Sequence, residues 1–109
     1  MNLTKQVTNG YCVIKIDGRI DTTNFNDFEK EVTGIIDGGE HNIVLNCSGL
    51  NYISSSGLRV FLIAQKKLTA LAGKLYLCQM QPTIKEIFDI SGFSTIFKIF
   101  DTESEALSA

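Results

Sequence analysis

At 109 residues, 44% of them hydrophobic and 20% charged, the chain has the composition of a globular protein, long enough for one domain over residues 1–109 and too short for two. A net charge of −2, with Lys66 and Lys67 as the sole adjacent basic pair, excludes the basic stripe that nucleic acids and anionic membranes demand of a main partner. With no run of 18 apolar residues and no leader-like start, a cytoplasmic location is expected.

The chain opens with two extended runs, LTKQV and YCVIKIDG, around Asn9-Gly10, a pair suited to the positive φ angles of a type I′ turn; an antiparallel hairpin is expected. Next, Asp21, Thr22 and Thr23 are helix-cap candidates ahead of Phe25, Phe28, Val32, Ile35 and Ile36 at helical spacing, closed by Gly38-Gly39. HNIVLNC reads as a strand buried on both faces, leading through a short loop, SGLNYI, into Ser54, Ser55 and Ser56. A second helix should begin near Ser55, buried at its start and wet at its end, with Gly73 as terminator. KLYLCQM is another strand. Pro82 suits the first turn of a helix with Ile84, Ile87 and Phe88 inward and Gly92 at its close. STIFKIF is a short edge-strand candidate, and Thr102 with Glu105 has capping-box spacing for a small C-terminal helix that frays at its end. Strands joined by helices lie parallel through right-handed crossovers, so the fold class is α/β: a small mixed sheet, antiparallel at its start and parallel later, packed by amphipathic helices.

Chemistry-bearing residues are few. Cys12, Cys47 and Cys78 lack C-x-x-C spacing and read as buried reduced thiols; the single histidine, His41, precedes a strand and offers no triad or metal cluster. No phosphate-cradling glycine loop is present, so neither an enzyme nor a cofactor or metal site is expected. The serine run at a strand-to-helix junction is what remains. One serine suffices as a cap, and an exposed hydroxyl at a helix N-terminus is well placed to accept a phosphoryl group, whose charge the first-turn amides and helix dipole accommodate.

Three motifs carry a family resemblance. NIVLNCSGLNYISSSGLRVFL resembles a signature of buried strand, short loop and [DS]-S-[STA]-G-L; GRID at 18–21 is similar to G-x-[IL]-D; and PTIKEIFDISGFSTIFKIF resembles P-x-[IV]-x-x-[IL]-F-x-x-[ST]-G-[FL]. Together they resemble the anti-sigma-factor antagonists, small members of the STAS fold. The resemblance implies a protein that binds an anti-sigma factor, itself a serine kinase with a GHKL-type ATP-binding fold. Binding frees a sigma factor, phosphorylation ends the interaction and a serine phosphatase restores it. The family's acceptor position falls on Ser55, with Ser56 second. Partner contacts are implied at Asp21, Thr22, Ser54, Ser55, Ser56, Gly57 and Arg59. For several of these the residues themselves leave a second role open: Asp21 as a helix cap, Gly57 as a close-packing position, Arg59 as a solvated charge or a phosphate partner. Ser54 stands where many members carry aspartate, and is a cap candidate. Monomer and weak homodimer both remain open, and a constitutive STAS module, scaffolding or associated with a transporter, is the alternative function; a nucleotide- or small-ligand sensor is a third class.

Overall fold

The computed structural model describes residues 1–109. Strands β1 (Asn2–Thr8), β2 (Tyr11–Ile20), β3 (Asn42–Ile53), β4 (Lys74–Cys78) and β5 (Lys98–Phe100) form one sheet in the order β1-β2-β3-β4-β5. The β1–β2 pair is antiparallel and the other three pairs are parallel, as the element order requires. At the hairpin, Asn9 and Gly10 have φ of 53° and 80°, the two left-handed positions of a type I′ turn.

Helices α1 (Phe25–Asp37), α2 (Ser55–Ala70) and α3 (Pro82–Ile90) make the three crossovers and share one face of the sheet. Right-handed crossovers between strands added in one direction leave their helices no other face. Phe28, Val32 and Ile36 of α1, Phe61, Ala64 and Leu68 of α2, and Ile84 and Phe88 of α3 are buried there against Ile14, Ile16, Ile43, Leu45, Leu75 and Leu77. Helix α4 (Glu103–Leu107) covers the opposite face, where Ala106 packs with Tyr11, Val13, Val44, Tyr76 and Cys78. Its N-terminus carries the expected capping box: the Thr102 hydroxyl accepts from the Glu105 amide, and the Glu105 carboxylate accepts from the Thr102 amide. Asn46, one of two buried polar side chains, donates to Glu103 Oε1 at 2.9 Å and so pins α4 to β3. All three cysteines are buried and unpaired, and burial raises each thiol above its ordinary pKa.

Three expectations are corrected. The segment 48–53, read as a loop, is the second half of β3, and pairs with Asp17–Ile20. Register shifts between Lys15 and Asp17 and between Gly18 and Arg19 each place one extra residue in β3, which breaks the alternation by which a strand is read. The Asp21, Thr22 and Thr23 cap candidates lie upstream of α1, whose N-cap position is Asn24, with no side-chain cap bond. Gly73 is not the left-handed residue that ends α2. Ala72 is, at φ 58°, with the Ala72 amide bonded to the Thr69 carbonyl and the Gly73 amide to Leu68, a Schellman motif with alanine where glycine is usual. Gly73 instead lies against the His41 carbonyl, where any Cβ would collide. Ala72→Gly is therefore expected to stabilise the fold by about 0.5–1 kcal/mol, read as a rise of a few degrees in Tm.

Candidate functional site

The site forms where β2 and β3 end side by side, Ile20 opposite Ile53. The Ser54 amide donates to the Ile20 carbonyl at 2.9 Å, which fastens the start of α2 to the end of β2. Ser54 has extended backbone, and its Oγ accepts from the Gly57 amide at 3.2 Å, so it is the N-cap. Ser54 is only 9% exposed and Gly57 is buried. A Cβ on Gly57 would stand 2.8 Å from both Ile20 Cγ2 and Ile53 Cγ1. These two residues, expected as partner contacts, therefore lie beneath the surface and shape it: one sets the helix start, the other lets the helix approach the strand ends. Ser54→Ala should cost about 1 kcal/mol in thermal unfolding, whereas Ser54→Asp, also a capping residue, should keep stability within about 0.5 kcal/mol.

With Ser54 occupied as the cap, the first helical residue is Ser55. Its side chain is exposed and makes no hydrogen bond, while Ser56 is half-buried. The amides of both are first-turn donors with no partner in the helix. One turn on, Arg59 is exposed and forms none of the protein's four ion pairs. Ser55, Ser56 and Arg59 share a cleft of about 520 Å³ with Val60 and Ile63 of α2 and Phe25 and Glu29 of α1. The cleft thus unites three residues expected from the sequence with four that were not. Helical periodicity made Phe25 a core position and gave no sign that its ring would face α2.

A second cluster borders this end of the sheet. Arg19 Nε donates to Asp21 Oδ2 at 2.9 Å, and the Arg19 guanidinium lies 4.6 Å from the centre of the Tyr52 ring. Asp21 Oδ1 accepts from the Thr23 amide and hydroxyl at 2.9 and 2.6 Å, and the Asp21 amide donates to Asn24 Oδ1. The hydrogen bonds from Thr23, then that from Arg19, lower the Asp21 carboxyl to a pKa of about 2, because each favours the charged form. Asp21 is therefore ionised at any physiological pH and organises the turn into α1. Thr22 is exposed beside it. Arg19 and Tyr52 were not singled out from the sequence, since a cross-strand pair shows only once the register across two bulges is known.

No histidine stands beside the serines. His41 precedes the first residue of β3 and Ser54 follows the last, so the whole strand separates the imidazole from the serines. No three His, Cys, Asp or Glu side chains are grouped to hold a metal ion, and no helix is long and apolar enough to cross a membrane.

A short mixed sheet with three helices on one face, and a serine run where two strands end, is an α/β architecture that comparison with known proteins places. Residues 2–106 match the STAS domain. BtrV of Bordetella bronchiseptica, named as a candidate anti-sigma factor antagonist, is 37% identical over 109 residues, covering all of this chain and 94% of that protein. A similarly named protein from Thermotoga maritima has the same fold, with a TM-score of 0.92 at 21% identity, over 97% of this chain and 92% of that one. SpoIIAA, a Bacillus cell fate determinant solved in its phosphorylated form, aligns with a TM-score of 0.74 at 28% identity, covering 98% and 97% of the two chains. The chain belongs to the STAS domain family and, within it, to the anti-sigma factor antagonists.

Proposed function

We propose that this protein binds an anti-sigma factor that is also a serine kinase with a GHKL-type ATP-binding fold, and that phosphorylation of Ser55 ends the interaction. A serine phosphatase returns it to the binding state. The observation that carries the reading is the division of labour among the serines: Ser54 is consumed as the N-cap, Ser56 is half-buried, and Ser55 alone presents a free, exposed hydroxyl. In this reading Asp21, Thr22, Ser55, Ser56 and Arg59 form the partner-facing surface, and Ser54 and Gly57 support it. The relative solved in a phosphorylated form favours the same reading. Serine in place of the aspartate that many members carry leaves the cap intact, because either residue accepts the first-turn amide.

The test is intact-mass and fragment mass spectrometry after incubation with ATP and the serine kinase of the protein's own gene neighbourhood. One added phosphate on Ser55 is expected. Phosphate on Ser56 alone would keep the switch and move its site; none, with a demonstrably active kinase, would favour a constitutive interaction module.

A further inference from the structure

The Arg19 cluster has a geometry that stability does not require. Its side chain is 60% exposed, Tyr52 is 42% exposed, and exposed ion pairs add little to folding. Yet the guanidinium is held from two directions, by the Asp21 carboxylate at Nε and by the Tyr52 ring beneath it. Held this way, the side chain has little rotamer entropy left to lose on binding. Both of its Nη groups remain without a hydrogen bond inside the protein, leaving a planar pair of donors matched to a carboxylate.

Its position couples it to the proposed switch. Arg19 and Tyr52 are paired across β2 and β3, Ile20 accepts from the Ser54 amide, and Tyr52 stands three residues before Ser55, within about 11 Å at full extension. We propose that Arg19, fixed on Tyr52 by Asp21, is a specificity-determining contact that receives an acidic side chain of the protein partner. A nucleic acid is disfavoured as the source of that anion, since a polyphosphate backbone needs a stripe of basic groups and the chain is acidic overall, with a net charge of −2. The inference rests on the reading that this end of the sheet meets the anti-sigma factor, and it names a contact that the serine does not supply.

The experiment measures the affinity of the unphosphorylated protein for the purified anti-sigma kinase from its gene neighbourhood at two salt concentrations, using wild type, Arg19→Ala and Arg19→Lys. Arg19→Ala is expected to weaken binding by at least about tenfold and to reduce its salt dependence. Arg19→Lys should recover only part of this loss, because an ammonium cannot lie flat on the ring and offer a planar fork. Tm should stay within about 2 °C of wild type for both variants, which separates recognition from folding. If both variants bind within twofold of wild type while phosphate on Ser55 still abolishes binding, the Arg19 inference is overturned and the proposed function stands. Failure of the wild-type protein itself to bind the kinase would overturn both.

Discussion

Protein carrying a single phosphate on Ser55 is expected to bind its anti-sigma factor about a thousandfold more weakly than the unmodified chain, equivalent to about 4 kcal/mol. The modification adds about −1.5 to −2 charges at pH 7. It does so in a setting where formal charges nearly balance: Arg19 is matched by Asp21, and the cleft holds one Arg59 and one Glu29. The fold itself should tolerate the phosphate, because the Ser55 and Ser56 amides are first-turn donors and the helix dipole favours an anion there. The loss therefore belongs to the interface, where a partner surface fitted to a neutral hydroxyl meets repulsion and desolvation. Isothermal titration of phosphorylated and unphosphorylated protein checks this. Ser55→Ala should bind like the unmodified chain and be insensitive to ATP. A phosphoprotein that binds within tenfold of the unmodified chain would sink the switch.

Phe61→Ala should produce the largest loss of stability from a single truncation, about 3–5 kcal/mol. Phe61 is fully buried, and its ring centre lies 5.6 Å from Phe28, 5.5 Å from Phe88 and 6.3 Å from Phe97. It joins α1, α2, α3 and the segment before β5 at one point, so the cavity left by truncation would be walled by four elements that cannot all close on it. Calorimetry should show Tm falling by at least about 12 °C, and a drop under about 4 °C would mean the cluster repacks freely. Since Phe61 stands six residues beyond Ser55 on the same helix, the truncated protein should also hold the serine less firmly.

Much of this architecture was legible where a local rule has one solution. Asn9-Gly10, Pro82, and Thr102 with Glu105 each combine residue type and spacing in a way that few other conformations use, and each stands where expected. The start of α2 at Ser55 was legible for the same reason. Rules with several solutions did worse. Ser48, Gly49 and Asn51 look like a loop because the two bulges in β3 move them out of alternation, and only pairing with β2 reveals a strand. Asp21 has the chemistry of a cap yet spends it on Thr23 and Arg19, one turn too early. Phe25, Glu29, Arg19 and Tyr52 owe their place at the site to the docking of α1 on α2 and of β2 on β3, contacts that no local pattern encodes. The hydroxyls and the capping role open to Ser54 were visible in the sequence; the half-burial of Ser56 was not.

The sequential order of the strands also sets a timetable for the emerging chain. Each strand from β2 onward finds its neighbour already made, so the sheet can grow from one edge without waiting to insert a late strand between early ones. The face carrying α1, α2 and α3 is covered as it is built. The other face is not: Val13, Val44, Tyr76 and Cys78 have their cover in α4, which follows all five strands in the chain. Until Glu103 reaches Asn46, a growing chain displays an apolar sheet surface to its surroundings, and this interval is where the molecule is most exposed to aggregation and to chaperones.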